Sequence, residues 1–291
     1  MRRPISLLLI ATTLAALAGC GKTRTGTIPP KEEAVTLMDR SQNAKAARIL
    51  EADLRENPDD DEARLLLASA YMGLAGIDVY RIFDAFQDLL FKRSLKDQII
   101  SPKSDPNAKN PLGNGKIPTK DEVKSQAEGT MIALDKSVSS LQLALLYLDR
   151  FPQIPAGNWP LVEAALAQLE SMRDPASDTF TYRILIRLIY LKSYLVEKVM
   201  RNEQFGSREW ACGFDARNFD EGLAFFTRHA LAIDDELGQG AAKGAKALGK
   251  AHKNFGFLAD AANYADGFGE WSQGLTFSEV ENFVKARFNC N

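Results

Sequence analysis

Few residues of this sequence have the chemistry that covalent catalysis or metal binding requires. His229 and His252 are the only histidines among the 291 residues. They lie far apart, and neither has a cysteine or a second histidine at the spacing of a zinc ligand pair. The sequence also lacks a Gly-x-Ser-x-Gly nucleophile elbow and a His-Glu-x-x-His metalloprotease motif. It therefore predicts no metal, no cofactor and no enzymatic activity.

One short stretch comes close to a nucleotide-binding motif. GAKALGKA (244–251) ends in the Gly-Lys pair of a phosphate-binding loop, but Ala251 stands where a Ser or Thr must reach magnesium, and no predicted strand precedes it. Together with Gly238 and Gly240, the glycines of this stretch instead predict a thin helix that packs closely against its neighbours.

The surroundings of Glu170 resemble, over a few residues, the catalytic glutamate segment of lytic transglycosylases, which cleave peptidoglycan. As a catalyst Glu170 would be a general acid whose pKa is raised by a hydrophobic setting. However, QLESMRDPASD (168–178) is not followed by the Gly-Leu-Met-Gln segment of that family. The alternative, which we favour, is a solvent-facing glutamate in the last turn of a helix.

The first twenty residues, MRRPISLLLIATTLAALAGC, have the features of an export signal. Two arginines precede an apolar run over Ile5–Leu17. That run is shorter than the ~20 residues that cross a bilayer, and it ends in small residues. The final four residues, Leu17-Ala18-Gly19-Cys20, resemble the lipobox of bacterial lipoproteins.

The lipobox resemblance implies a cleaved signal peptide over residues 1–19 and a lipid-modified, acylated Cys20. Several acyl chains make such an anchor stable, since each buried methylene contributes roughly 0.8 kcal/mol. Gly21 fits the default sorting pattern towards the outer membrane. We therefore expect the protein at the periplasmic face of that membrane, where residues 20–30 would form a lipid-anchored tether.

Cys212 and Cys290 remain once Cys20 is assigned to the lipid. An even number of cysteines in an oxidising compartment predicts one disulfide. It would close a loop of about 80 residues, which the chain-entropy model values at about 4.5 kcal/mol. The alternative is a pair of buried, unbonded thiols.

The charge balance excludes one class of partner. The formal net charge is −2, and the basic residues are dispersed along the chain rather than clustered. Such a protein is not expected to bind nucleic acid.

Apolar residues recur at three- and four-residue spacing from Lys31 onward, which predicts helices throughout. The predicted helices span residues 31–40, 43–56, 60–75, 78–95, 120–150, 160–172, 178–203, 217–233, 239–267 and 277–288. The predicted organisation is a pair of helical hairpins over 31–96, a flexible or partner-contacting loop over 97–119, and a helical body over 120–291. Residues 180–200 are apolar around most of the helix, yet they include Arg183, Arg187 and Lys192. They therefore predict a buried central helix rather than a membrane span.

Residues 44–73, AKAARILEADLRENPDDDEARLLLASAYMG, resemble tetratricopeptide (TPR) repeats. The matching positions are Ala46, Leu50 and Pro58 in one register and Leu67, Ala68 and Tyr71 in the next. The alanines let two helices approach closely, the larger side chains fill the groove between them, and the proline ends a helix. Asp53 and Arg64 depart from the family pattern. Because fewer than three repeats match, the predicted fold class is an all-α, degenerate array of TPR-like hairpins.

Three functions are compatible with these features. The leading hypothesis is a non-enzymatic, lipid-anchored scaffold that binds an envelope or periplasmic protein through TPR-like helical surfaces. The size, anchor and repeats are also similar to the TPR lipoprotein associated with TRAP-type transporters, which implies a hydrophobic ligand channel. The third hypothesis is a peptidoglycan-cleaving enzyme that uses Glu170.

Overall fold

The computed structural model describes residues 28–77, 148, 151–201, 203, 207–272 and 276–290. The predicted signal peptide, Cys20, most of the tether, the helix predicted at 78–95, the loop predicted at 97–119 and all but residue 148 of the helix predicted at 120–150 lie outside the described residues.

Every regular element in the described part of the chain is helical, as the sequence predicts. The helices are α1 (Pro30–Asp39), α2 (Asn43–Glu56), α3 (Asp61–Leu74), α4 (Trp159–Glu170), α5 (Ser177–Tyr194), α6 (Arg208–Cys212), α7 (Ala216–Ala242), α8 (Lys246–Ser272) and α9 (Phe277–Arg287). A short 3₁₀ helix, Ala156–Asn158, precedes α4, and a single π-helical turn, Leu195–Met200, extends α5. The all-α class is therefore confirmed.

Local sequence explains where α1 and α3 begin. Pro30 occupies the first position of α1. A backbone N–H at that position has no acceptor within the helix, so its absence from proline costs no hydrogen bond. The Asp60 carboxylate caps α3 by accepting a hydrogen bond from the Ala63 amide at 3.0 Å. That bond and the neighbouring Lys31 ammonium hold the pKa of Asp60 below its usual range.

Consecutive helices pack side by side in antiparallel order. α3 contacts both α1 and α2 on one side and α4 on the other, and the series continues from α4 to α5, from α5 to α7 and from α7 to α8. Lys31 near the start of α1 binds Asp60 at the start of α3, so α1 and α3 run parallel with α2 between them in sequence. Each described helix of the array thus buries apolar surface mainly against its neighbours.

Hydrogen bonds from the start of α3 and from the end of α7 fix the loop between α4 and α5. The Asp61 carboxylate of α3 accepts from the backbone amides of Arg173 and Asp174, at 3.1 and 3.0 Å. From the other side, the Lys243 ammonium donates to Asp174 at 2.8 Å and to the Pro175 carbonyl at 2.8 Å. Because α3 also shares the main apolar core with α4, the helices within residues 28–77 and the described helices from α4 onward share one continuous core.

α5 is the buried central helix that the sequence predicts. Its side chains from Arg183 to Leu191 are all buried, since α4 covers one side and α7 another. The cationic side chains inside it reach protein acceptors: Arg183 donates to the Leu169 carbonyl and Lys192 to the Phe151 carbonyl. None of the described helices is both long and apolar enough to span a lipid bilayer.

The predicted boundaries are wrong around α5 to α8. The helix predicted to continue to residue 203 stops at Tyr194, the π turn ends at Met200, and the short helix α6 was not expected. The break predicted between 233 and 239 lies instead at residues 243–245. Gly244, with φ +92°, makes this turn, because a residue with a Cβ is strained in that conformation.

Candidate functional site

Three of the six repeat residues pack together in one small core. Ala46, Leu50 and Leu67 lie in a small core between α1, α2 and α3, and each is at most 2% exposed. Ala68 is also fully buried, but it belongs to the larger core that α3 shares with α4. Its small size therefore serves the α3–α4 contact, and not the α2–α3 groove to which the sequence assigned it.

Tyr71 and Pro58 take different positions. Tyr71 is half-buried between the two cores, and its hydroxyl donates to the Glu51 carboxylate at 2.9 Å. Burial and this carboxylate raise the pKa of Tyr71 to about 12. Pro58 is exposed in the turn after α2. It therefore acts through the backbone rather than through packing.

Arg64 occupies the position at which the repeat pattern has a tryptophan-like residue. Its guanidinium donates to the Pro58 carbonyl at 2.6 Å and to the Gln168 side chain of α4 at 3.1 Å. The departure from the pattern thus replaces an apolar contact by a hydrogen-bonded link to the next helix along the array.

A buried ionic network links α4, α5 and α7. Arg187 of α5 is its centre: the guanidinium pairs with Glu170 of α4 and with Glu236 of α7, the latter at 3.1 Å. A third nitrogen lies 3.3 Å from Nδ1 of His229. Arginine has no acceptor atom, so Nδ1 must accept this bond and the imidazole carries its proton on Nε2. One arginine therefore ties together three helices.

Burial dominates the electrostatics of this network. It lowers the pKa of His229 to about 3, and the nearby Arg187 and Arg228 charges act in the same direction. Burial raises the pKa of Glu236, although Arg187 opposes the change. One Glu236 oxygen and the Nε of Arg183 have no hydrogen-bond partner in the structure. Removing one partner of such an ion pair strongly lowers the stability of the fold, because it leaves the other charge buried and unpaired.

Glu170 is the last residue of α4, with its side chain 48% exposed and paired with Arg187. A general acid needs a dry, apolar setting that favours the neutral carboxyl group. The Glu170 side chain is instead half exposed and contacts the Arg187 guanidinium. The position agrees with the expected solvent-facing glutamate at a helix end, and the contact gives Glu170 a role in holding α4 to α5.

The structure bonds Cys212 to Cys290, with their Cα atoms 5.3 Å apart, as the cysteine count predicts. The bond joins α6 to the chain end after α9. Two hydrogen bonds join the same parts of the chain. Arg208 donates to the Asn289 carbonyl at 3.1 Å, and the Ala216 amide donates to Glu281 at 3.2 Å. The disulfide therefore fixes α6 and the start of α7 against the terminal helix.

Beside the disulfide lies a cavity of about 190 Å³, which we name the π-turn pocket. Its lining residues are Lys198, Val199, Met200, Arg201, Glu203, Glu209, Trp210, Gly213, Phe214 and Asp215. The Trp210 indole donates to the Val199 carbonyl at 2.9 Å and so closes the floor of the pocket. The sequence did not predict this pocket, because the pocket depends on tertiary contacts of a π turn and no residue pattern indicates such a turn.

Backbone geometry shapes this pocket in two places. Arg201 has φ +54°, a left-handed conformation that non-glycine residues rarely adopt. At the other side, the π turn presses against α7 at Gly222, where a Cβ would overlap the Val199 side chain. π turns and strained backbone recur at functional sites.

Among the described residues, no group of three or more His, Cys, Asp and Glu side chains is placed to hold a metal ion. Of the glycines predicted to lie in one thin helix, Gly240 lies in α7, Gly244 in the turn, and Gly249 in α8. The glycines thus belong to two helices rather than one. The close packing expected of them does occur at Gly240, where a Cβ would overlap the Leu248 side chain.

Comparison with family models, with curated proteins and with solved structures finds no match to this chain.

Proposed function

We propose that this protein is a lipid-anchored scaffold of the cell envelope, which binds a partner protein through the surface of its helical array. The observation that carries the proposal is the packing of α1, α2 and α3 through the repeat residues, followed by α4 stacked on α3. Arrays in which each helix contacts mainly its neighbours offer extended binding surfaces. The lipobox resemblance supplies the anchor, and the TPR resemblance supplies the mode of binding.

The polar chemistry of the described residues supports the same proposal. The Arg187–Glu236 ion pair and His229 are buried and directed at other side chains rather than at solvent. Glu170 contributes to that group as an ion-pair partner. These contacts stabilise the array, and they leave shape as the property through which a partner is recognised.

Ala68→Leu tests whether the array must be intact for binding. Ala68 is fully buried at the α3–α4 contact, so three added heavy atoms overpack it, at a cost of about 1–3 kcal/mol. Ala52→Leu is the matched control, because Ala52 is exposed on α2. The measurement is the yield of partner cross-linked to the lipidated protein in intact cells, together with complementation of a deletion strain. We expect both to fall for Ala68→Leu and to stay unchanged for Ala52→Leu.

Glu170→Gln separates the scaffold from the peptidoglycan-enzyme hypothesis. The amide keeps a hydrogen-bond acceptor for Arg187 but cannot act as a general acid. We expect complementation to survive. Loss of complementation by a folded, anchored Glu170→Gln protein would overturn the scaffold proposal and favour catalysis by this carboxylate.

A further inference from the structure

The start of α8 carries a row of lysines with no acidic residue nearby in the sequence. Residues 237–259 contain four lysines and neither aspartate nor glutamate. Lys246, Lys250 and Lys253 follow one another at spacings of four and three residues, so they lie on one face of the helix. Their side chains are exposed, whereas Phe255 on the opposite face is buried. We name these three side chains the lysine row.

The lysine row is unpaired, although other charged groups lie near it. Lys243, in the turn before α8, donates to the Asp174 carboxylate at 2.8 Å, and the His252 imidazole lies 3.0 Å from Asp234. Within the described residues, none of the three lysines of the row forms a hydrogen bond or an ion pair. The row spans about 10 Å along the helix axis, so it presents three ammonium groups to solvent over a short distance.

The lysine row lies at the end of the array from which the tether leaves. Lys243 binds the loop between α4 and α5, and α8 begins three residues later. Asp61 at the start of α3 binds the same loop, and Lys31 at the start of α1 binds Asp60 beside it. The tether continues directly into α1. The segment that would carry the lipid and the lysine row are therefore at the same end.

Acidic side chains at the start of α3 are paired within the protein. The Lys31 ammonium binds Asp60 and Glu62, and Arg173 binds Asp59. The exposed acidic residues of α1 are on the other side of the array, because α3, α4, α5 and α7 lie between α1 and α8 in the series of contacts. On the α8 side of this end, the lysine row therefore presents positive charge with which no described acidic group pairs.

The surroundings of the row favour a lipid surface over a protein as its ligand. None of the large apolar side chains that are exposed in the described part of the chain lies on α8. A protein interface is centred on such buried anchors. Lipid phosphates, in contrast, bind ammonium groups as point charges and require no matching shape.

We propose that the lysine row binds the anionic headgroups of the bilayer that holds the lipid anchor, and this inference rests on the anchor of the proposed function. Each lysine near an anionic bilayer strengthens the attraction by roughly fivefold. An acyl anchor and a basic patch together hold a protein more firmly than either does alone. Because the formal net charge of the whole chain is −2, an anionic surface attracts this side of the array in particular and turns it towards the bilayer.

Energy transfer from a fluorophore on α8 to labelled lipid headgroups tests the proposal. The donor is attached to Ala247→Cys, an exposed position beside the row, in the full-length lipidated protein. In that form Cys20 is acylated and the other native cysteines are disulfide-bonded, so the label reacts at position 247 alone. The protein is reconstituted in vesicles of phosphatidylcholine, with or without about 30% phosphatidylglycerol.

We expect greater energy transfer on the anionic vesicles than on the neutral ones at about 0.1 M salt, because the row then lies against the headgroups. The difference should disappear at about 1 M salt, which screens the attraction. Equal transfer on both kinds of vesicle at the lower salt concentration would overturn the proposal and favour an acidic protein surface as the ligand of the row.

Two charge-matched variants assign the effect to the row. Lys250→Gln combined with Lys253→Gln removes two of its charges and is expected to lower the ratio of docked to undocked molecules on anionic vesicles by roughly 25-fold. The control, Lys198→Gln combined with Arg217→Gln, removes two exposed charges near the other end of the array. It is expected to show the same transfer as the labelled protein without these changes. An equal decrease in both variants, or a decrease in neither, would refute the proposal.

The same vesicles report the lipid anchor separately. Retention of the protein on pure phosphatidylcholine vesicles depends on the acyl chains, because the row has no anionic lipid to bind there. Protein that leaves the neutral vesicles and still shows salt-dependent transfer on the anionic ones would contradict the anchor and support the row. The binding of a partner protein is tested independently by Ala68→Leu.

Discussion

The buried His229 predicts a specific loss of stability in mild acid. In the folded protein its imidazole is neutral, because burial and the Arg187 and Arg228 charges lower its pKa to about 3. In the unfolded chain the pKa returns to about 6.5. A group whose pKa is depressed by folding stabilises the fold above the unfolded pKa, and that stability is lost as the pH falls towards the folded pKa. The window for His229 therefore opens below about pH 6.5.

The size of the effect follows from the difference between the two pKa values. Each unit corresponds to about 1.4 kcal/mol. Between about pH 7.5 and about pH 5 the unfolded chain takes up a proton at this site and the folded chain does not, which lowers the free energy of unfolding by about 2 kcal/mol. Glu236 acts in the opposite direction, because its raised pKa stabilises the fold as the pH falls. The contribution of His229 must therefore be measured as a difference between variants.

The assay is urea unfolding of wild type, His229→Asn and His252→Asn at a series of pH values. His229→Asn is expected to be less stable than wild type at neutral pH, since it leaves a cavity beside Tyr190 and Phe225. Its stability should nevertheless change less between pH 7.5 and pH 5, by about 2 kcal/mol. His252 is a matched control because it is the only other histidine, and it is 42% exposed beside Asp234. If His229→Asn retains the full wild-type dependence on pH, the depressed pKa is wrong.

Two further predictions concern the cysteines. Cells that express the protein should incorporate labelled palmitate into it, and Cys20→Ser should abolish both the label and its partition into membranes. Label that persists in Cys20→Ser would contradict the lipidation. Reduction of the Cys212–Cys290 bond should lower the free energy of unfolding by up to about 4.5 kcal/mol, with Cys212→Ala insensitive to reductant in the same thermal unfolding experiment. Ready alkylation of both cysteines in the unreduced native protein would contradict the bond.

The parts of the fold that were predictable depend on local chemistry. The helix predicted at 43–56 is correct to the residue, because Asn57 and Pro58 cannot continue it. The burial of α5 follows from apolar residues around most of its circumference, and the disulfide follows from an even remainder of cysteines. In each case the prediction depends on neighbouring residues in the sequence or on the number of cysteines.

The parts that were missed depend on contacts between distant residues. The break predicted between residues 233 and 239 does not occur, because α7 continues to Ala242, and Gly240 within it lets Leu248 of α8 approach closely. Arg187 was expected only to be a buried cation. Its partners Glu170 and Glu236 lie 17 residues before it and 49 residues after it, so no spacing could identify them. The π-turn pocket has the same origin, since it exists only where α5, α6 and α7 meet.

The positions of the helix ends give the proposed anchor a direction. The start of α1 meets the start of α3 through Lys31 and Asp60, and the loop after α4 joins the end of α7 through Lys243. All of these lie at the end of the array from which the tether leaves. The start of α7 and the π turn lie at the other end. The 27 residues of α7 span about 40 Å between them.

The lengths of the tether and of α7 together limit how far each end of the array can lie from the bilayer. Ten residues from Cys20 to Pro30 extend at most about 35 Å, so a lipidated Cys20 keeps the Lys31 end near the bilayer. In the proposed lipid-anchored protein, the π turn can therefore lie up to about 40 Å farther from the bilayer than the Lys31 end. On the scaffold proposal, a partner protein would dock on the flanks of the array, which lie between the two ends.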